Sequence, residues 1–154
     1  MRYRAYEPGD FAQLYAIEEL CFEPPFRFSK ATMRALTRDT HSVTWVAEED
    51  GSMAGFAIAD LKAGTKSPAA YIQTIEVIAE RRGRGVGGEL IKRIEKSARD
   101  AGARAIWLHV DTQNAAAIRL YESHGYEMQR RAEDYYPRGR AAFVYHKDLE
   151  SRGV

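Results

Sequence analysis

Apolar positions in the first part of the chain change from the spacing of a strand to the spacing of helices. Residues 2–6 predict a short strand, and apolar side chains then recur every three or four positions over residues 11–21, as on one face of a helix. The prolines that follow cannot continue a helix. Ser29 is a suitable N-cap for a second helix.

Alternating apolar runs in the middle of the chain predict three strands, at residues 43–47, 56–61 and 71–78. An acidic, glycine-containing hairpin turn at 48–52 joins the first two, and a polar loop at 64–68 precedes the third. An antiparallel pair is therefore expected.

The second half of the chain begins with a long amphipathic helix, predicted over residues 85–100. A strand at 106–110, a short helix at 114–123 and two final strands at 125–129 and 141–146 complete the pattern. The order is strand, two helices, three strands, helix, strand, helix and two strands. This order predicts a mixed α/β sheet domain.

Composition limits what such a domain does. The 154 residues are enough for a single domain, 1–154, with a substantial core. Lysine and arginine number 23 against 22 aspartate and glutamate residues, a balance that argues against a nucleic-acid partner. The single cysteine, Cys21, excludes an internal disulfide framework and offers no metal cluster. Since no long apolar run or signal-peptide core is visible, we expect a cytoplasmic protein with no membrane contact.

A glycine-rich stretch marks the point where the third central strand turns into the long helix. Residues 82–87 have the sequence Arg-Gly-Arg-Gly-Val-Gly. Glycines allow positive φ and close backbone approach, and the exposed N–H groups of a helix start attract phosphate. A tight turn without any ligand is the alternative. A Rossmann fingerprint would lie near the start of the chain, and a P-loop would continue with Gly-Lys-Ser or Gly-Lys-Thr.

Two spaced motifs resemble those of the GNAT superfamily of acetyltransferases. The 82–87 stretch matches the family pattern of Gln or Arg, two variable residues, Gly, one variable residue, and Gly or Ala. Residues 114–126 look like the family segment that contains Asn, Ala, Tyr and a Gly-aromatic pair. The resemblance implies a mixed, mostly antiparallel twisted sheet of about seven strands flanked by about four helices, splayed at the central cofactor-binding strands. It also implies acetyl-CoA as acetyl donor and requires no metal.

Within this superfamily the chain most resembles the protein N-terminal acetyltransferases of the ribosomal-protein alanine type. The similarity rests on the 114–126 segment, the aromatic loop at 22–26 and the paired tyrosines at 134–137. It implies that Phe26, Tyr135 and Tyr136 contact the acceptor. It further implies a set of cofactor-binding residues: Ile75, Glu76 and Val77 beside the pantetheine arm, Arg82, Gly83, Arg84, Gly85, Val86, Gly87 and Gly88 around the pyrophosphate, and Asn114 and Tyr121.

The resemblance also assigns the catalytic groups, with one departure from the family pattern. Tyr121 is the expected acid, because a phenol donates a proton to a departing thiolate. The base is different: the glutamate of the ribosomal-protein type is replaced by His109. An imidazole can accept a proton from an α-ammonium. Asp111, Glu76 or a water molecule are the alternatives.

These residues predict an acetyl-CoA-dependent N-acetyltransferase that acts by direct attack in a ternary complex. The most favoured acceptor is a protein or peptide N-terminal α-amine, because its pKa is lower than that of lysine. The alternatives are a small-molecule amine (polyamine, antibiotic or amino acid), or a regulatory module that binds acetyl-CoA without catalysis. A monomer or a homodimer is expected, and replacing Cys21 by Ala should leave activity intact.

Overall fold

The computed structural model describes residues 1–24, 26–61 and 69–149, and the predicted loop at 64–68 lies outside them. One seven-stranded sheet runs through the described residues in the order β1-β2-β3-β4-β5-β7-β6. Adjacent strands are antiparallel except β4 and β5, which are parallel. The strands are β1 (Arg2–Ala5), β2 (Ser42–Glu49), β3 (Ser52–Asp60), β4 (Ala69–Val77), β5 (Ala105–Asp111), β6 (Glu127–Tyr136) and β7 (Arg140–Asp148).

Four α-helices cover the two faces of the sheet, and they follow the predicted order. They are α1 (Phe11–Cys21), α2 (Lys30–Arg38), α3 (Val86–Asp100) and α4 (Ala115–Ser123). The predicted N-cap of α2 is confirmed, since the Ser29 hydroxyl accepts a hydrogen bond from the N–H of Thr32 at 3.1 Å. Short 3₁₀ turns lie at Pro8–Asp10, Ala79–Arg81 and Pro137–Gly139.

Two apolar clusters separate the faces. One contains buried side chains of α1 and α2 with Val46, Phe56 and Ile58 of β2 and β3. The other contains the apolar stripe of α3, part of α4, and the alternate positions of the same strands, such as Ala57 and Ala59. Because side chains alternate between the two faces along each strand, the same strands contribute to two cores, one on each face of the sheet.

A β-bulge in β4 changes which side chains share a face. Ala59 of β3 pairs with Ile72, whereas the preceding residue, Ile58, pairs with Thr74, so Gln73 is the extra residue. Beyond the bulge, Thr74 and Glu76 lie opposite Ile58 and Phe56 and point towards α1. Tyr71, before the bulge, points to that face as well, although simple alternation would place positions 71 and 76 on opposite faces.

The parallel pair β4 and β5 separates soon after it forms. Their pairing covers residues 69–71 of β4 and 105–107 of β5, while β5 stays paired with β7 to its end. A wedge therefore opens between 72–77 and 108–111. This wedge confirms the splay that the family resemblance implied.

The strand expected at 125–129 is wrong in its bounds. Residue 125 does not open a five-residue strand, since β6 runs from Glu127 to Tyr136, and the paired tyrosines end this strand. The strand is a sheet edge with most side chains exposed. It therefore lacks the apolar alternation by which strands are recognised.

Candidate active site

The glycine loop presents open backbone at the start of α3. Gly83 and Gly85 have φ of 77° and 82°, and a Cβ placed on either would meet nothing within 4 Å. No side chain caps the helix, and the first N–H groups of an α-helix have no intrahelical acceptor. These donors and the positive end of the helix dipole form a cradle that suits a phosphate group.

Gly87 and Gly88 have a different reason to be glycine. A Cβ on Gly87 would lie 3.0 Å from the Leu120 side chain, and one on Gly88 would lie 2.8 Å from the imidazole of His124. Both positions are helical, so no positive φ is required. The missing side chains allow α4 to pack closely against α3.

The arginines around the loop are partly paired. Arg81 donates to Oε1 of Glu49 at 2.6 Å and Arg84 donates to Oε2 at 2.9 Å. Arg84 and then Arg81 hold the pKa of the Glu49 carboxyl below its usual value. Arg82 donates to the carbonyl of Val77 at 2.9 Å and its Nη2 lies 3.7 Å from the Cys21 sulfur. Three guanidinium groups against one carboxylate leave the cradle positive.

The predicted pantetheine strand borders the wedge. Ile75 and Val77 are half-buried and pack on the α3 side, while the backbone edge of residues 72–77 faces the gap left by β5. A strand edge of this kind offers amide donors and acceptors to an extended ligand. The pantetheine arm of acetyl-CoA carries amides of the kind that such an edge can bind.

Glu76 points away from that edge into a buried carboxyl pair with Glu18 of α1. Thr74 donates to Oε2 of Glu76 at 2.7 Å, and the N–H of Phe28 donates to Oε2 of Glu18 at 2.8 Å. Oε1 of each residue is buried without another partner among the described residues, and a proton shared by the carboxyls satisfies both. Burial and the neighbouring Glu18 raise the pKa of Glu76. A carboxyl in this state is a poor candidate for the base.

The best-placed basic group is His109, which is hydrogen-bonded to a residue that the sequence did not single out. The Tyr71 hydroxyl lies 2.8 Å from Nδ1 of His109. The ring of Tyr135 stacks on the imidazole with 4.0 Å between centroids and 6° between planes. The histidine is thereby fixed from β4 and from the end of β6.

The pKa shifts around this pair assign the protons. Burial and the neighbouring hydroxyl of Tyr135 raise the pKa of Tyr71, so the phenol keeps its proton and can donate it to Nδ1. Burial and the Arg130 guanidinium lower the pKa of His109. His109 is therefore neutral at physiological pH and able to accept a proton.

Tyr121 of α4 lies on the α3 side of the sheet. It is 6% exposed and belongs to the α3-side core. Burial, followed by Tyr136 and Glu76, raises its pKa, so its hydroxyl is protonated throughout the physiological range. Asn114, at the start of the same helix, accepts from the Ala117 N–H at 3.2 Å and acts as an N-cap.

Asp111 is less suited to the role of base. Its Oδ1 accepts from Nε of Arg140 at 3.1 Å and from the N–H of Gln113 at 3.0 Å. This oxygen is therefore already occupied by two donors.

Aromatic side chains from the predicted acceptor segments meet over the wedge. Phe26 contacts Tyr136 edge-on at 5.2 Å between centroids, and Tyr136 contacts Tyr135 at 4.9 Å. The Arg140 guanidinium lies 5.2 Å from the centre of the Phe26 ring. The structure thus brings Phe26, Tyr135, Tyr136, His109 and Tyr121 to one place.

Two residues of this site were not predicted from the sequence. Tyr71 is one of several β-strand tyrosines, and only the β4–β5 pairing and the bulge place it on His109. Glu18 carries a visible signal, a charge on the apolar face of α1, next to Ile17. The helical spacing alone does not show that its partner is Glu76.

Among the described residues no group of three metal-binding side chains lies close enough to hold an ion. No helix in the described ranges is long and apolar enough to cross a membrane.

The family model for the acetyltransferase (GNAT) family matches residues 11–126. The chain therefore belongs to this family, which confirms the family, the fold and the acyltransferase class predicted from the sequence. It is similar to the streptothricin acetyltransferase of Streptomyces lavendulae, with 38% identity over 89 residues, 57% of this chain and 46% of that protein. The chain thus spans about half the length of that relative.

Other similarities extend further along the chain. The ribosomal protein bS18-alanine N-acetyltransferase of Escherichia coli K12 is 29% identical over 131 residues, 85% of this chain and 84% of that protein. The crystal structure of the ribosomal-protein-S18-alanine N-acetyltransferase from Escherichia coli superimposes with a TM-score of 0.85 and 25% identity. That alignment covers 99% of this chain and 96% of the other.

Proposed function

We propose that this protein transfers the acetyl group of acetyl-CoA to the N-terminal α-amine of a peptide or protein, by direct attack in a ternary complex. The observation that carries the proposal is the position of the Tyr71–His109 pair at the wedge, with Tyr121 opposite. The Tyr71–His109 pair can accept a proton and Tyr121 can donate one, as acyl transfer to an amine requires.

Acetyl-CoA would be held by the cradle and the open strand. The pyrophosphate fits the N–H groups of the loop around Gly83 and Gly85, and the pantetheine arm fits the edge of β4. Arg81, Arg82 and Arg84 add positive charge beside the loop. The thioester then reaches the wedge, where the strands no longer pair.

The proposed chemistry balances with these residues. The neutral amine nitrogen attacks the thioester carbonyl carbon, a C–N bond forms and the C–S bond breaks. The amine proton passes to the Tyr71 oxygen as the phenol gives its own proton to Nδ1 of His109. Tyr121 protonates the departing sulfur; solvent then takes the extra proton from His109 and returns one to Tyr121. The products are the N-acetyl amine and CoA.

Three features favour an α-amine. His109 has a lowered pKa and is a mild base, which suits an amine with a pKa near 8 better than a lysine near 10.4. Tyr135 is 46% exposed, so the aromatic cover is open at one side. The relatives of 29% and 25% identity are named as alanine N-acetyltransferases of ribosomal protein S18.

A small-molecule amine is the second candidate acceptor, because the streptothricin enzyme shares 38% identity over its matched segment. A CoA-release assay separates the two. Free-N-terminus peptides, N-blocked lysine peptides, polyamines and streptothricin are compared, and mass spectrometry locates the acetyl group. Acetylation of peptide α-amines supports the proposal, and turnover confined to lysine or small amines contradicts it. Binding of acetyl-CoA without release on any amine would indicate a regulatory module.

Direct transfer has its own test in Cys21. Burial raises the pKa of this thiol, and its sulfur lies 3.9 Å from the Val77 carbonyl, so it is near the cofactor strand but a poor nucleophile. We expect Cys21→Ala to keep its turnover. Loss of activity, with an acetylated thiol in the native chain, would indicate a covalent intermediate.

A further inference from the structure

Arg130 brings a positive charge to the part of the sheet beside His109 that α1 and α2 do not cover. Among the strongest packing partners of these helices are β2, β3 and β4. On the same face of β5, Trp107 and His109 are only half-buried, as is His146 of β7. Val144, between His109 and Arg130, is itself buried, so an acceptor bound at His109 would lie over the half-buried and exposed side chains around it.

Arg130 lies on this surface at the level of His109. His109 pairs with Val144 of β7, and Val144 pairs with Arg130 of β6. Residues directly opposite each other in antiparallel strands share a face, so Arg130 points to the same side as His109. Its guanidinium acts electrostatically on the imidazole, which places the two groups in one field.

The distance from His109 to Arg130 corresponds to the length of a few residues of an extended acceptor peptide. Two strand spacings separate their backbones, about 10 Å in all. An extended peptide advances about 3.3 Å per residue, so a chain whose amine lies at His109 places its third and fourth residues over Arg130.

The neighbouring arginines are paired, and Glu127, on the same face of β6, lies at the level of His146 and Trp107 and not of His109. Arg131 is paired with Glu133, and Arg140 is paired with Asp111. Arg130 is exposed and has no ion-pair partner among the described residues. A guanidinium in this position attracts a carboxylate and repels a cation.

We infer that Arg130 selects acceptors by charge: the protein prefers peptides with acidic residues at their third and fourth positions, and it discriminates against polycations. The inference rests on the proposed function. It follows from the register His109–Val144–Arg130, the absence of helix cover over this part of the sheet, and a guanidinium with no ion-pair partner in the part of the chain that the structure describes.

Arg131 provides a matched control. It is the next residue on the same strand, but it pairs with Phe143, whose face is the α3 side. Reversal of its charge changes the total charge of the protein as much as reversal at Arg130 does. Only Arg130 faces the acceptor.

The experiment compares three peptides with the same first two residues, Ala-Ala, followed by Asp-Glu, Ser-Gln or Lys-Lys. CoA release gives kcat/KM for each on the native chain, Arg130→Glu and Arg131→Glu, with thermal melts to verify folding. The ratio between peptides cancels any effect of Arg130 on the His109 pKa. We expect the native chain to favour Asp-Glu, and Arg130→Glu to shift the acidic-to-basic ratio about tenfold towards Lys-Lys. Arg131→Glu should leave the ratio within about twofold, and high salt should reduce the preference.

The possible failures are distinct. Acetylation of all three peptides at equal rates would overturn the charge selection while the proposed function stands. An equal shift in Arg131→Glu would show a diffuse field and remove Arg130 from the role. Turnover of polyamines or streptothricin with no peptide acetylated would overturn the proposed function, and the inference with it.

Discussion

The hydroxyl of Tyr71 lies 2.8 Å from Nδ1 of His109, although the two residues are 38 positions apart in the chain. The contact crosses from β4 to β5 beside the three residue pairs that hold these strands together. Each partner has its pKa moved away from the other's range: the phenol keeps its proton and the imidazole stays neutral. The pair can therefore accept one proton from an acceptor amine, with the imidazole as its final site.

Removal of either partner should slow acetyl transfer. We expect Tyr71→Phe and His109→Gln each to lower kcat by about 100-fold, the scale of general base catalysis, with little change in the KM for acetyl-CoA. Steady-state kinetics measure both constants. Tyr145→Phe is the control, because it removes a phenol that donates to Glu122 on α4, away from the pair. Equal activity of Tyr71→Phe and Tyr145→Phe would exclude Tyr71 from proton transfer.

The acid limb of the pH profile should depend on Arg130. His109 must be neutral to act, so activity rises with pH through its pKa, which lies below the ordinary value of 6.5. Removal of the positive charge in Arg130→Gln takes away one cause of this depression and should move the acid limb of kcat to higher pH. Arg131→Gln should leave the limb in place. The profile is measured from pH 5 to 9 with saturating peptide, and an unmoved limb in Arg130→Gln would contradict the role of His109.

Tyr121→Phe should separate catalysis from folding. The ring packs in the α3-side core and contacts Tyr126 edge-on, so these contacts survive removal of the hydroxyl. We expect kcat to fall about 100-fold, with the melting temperature and acetyl-CoA affinity nearly unchanged. Calorimetric binding and thermal melts accompany the CoA-release assay. Retention of more than half of the native rate would assign the acid to another group.

The glycines of the 82–88 segment should respond to alanine in two ways. Gly85→Ala forces a side chain into φ of 82° at the mouth of the cradle, at a cost of about 1–2 kcal/mol, and should raise the KM for acetyl-CoA. Gly88→Ala should lower the melting temperature instead, because its Cβ would lie 2.8 Å from His124. Melts and acetyl-CoA titrations distinguish them, and equal effects of the two variants on both quantities would refute the division.

The Glu18–Glu76 pair should make stability depend on pH. The folded pKa of Glu76 is above its unfolded value of 4.5, so its contribution is complete below pH 4.5 and is lost as pH rises towards the folded pKa. One extra bound proton gives a slope of about 1.4 kcal/mol per pH unit. Glu76→Gln supplies an amide N–H donor to Glu18 but has no titratable proton. It should therefore flatten the dependence of stability on pH. Urea unfolding from pH 5 to 9 measures it, with Glu89→Gln on α3 as the control; parallel curves for Glu76→Gln and the native chain would exclude a shared proton.

Much of the fold could be read from local patterns. The apolar stripes of α1 and α3, the N-caps at Ser29 and Asn114, and the hairpin between β2 and β3 depend on residues near one another in sequence. The full length of strand β6 could not be predicted, because an exposed edge strand has no apolar face to mark it. Its kinked end, with φ of 53° at Asp134, depends on its pairing with β7.

The glycine cradle, the acid candidate Tyr121 and the family could be recognised from the chain alone, since each is carried by a motif of a few neighbouring residues. Which groups meet depends on the folded sheet. The bulge at Gln73 places Tyr71 and Glu76 on one face, and the divergence of β4 and β5 opens the wedge between them. The partners of His109 and Glu76 lie on other elements, and strand register is set by packing across the whole sheet, so no local pattern could have named Tyr71 or Glu18.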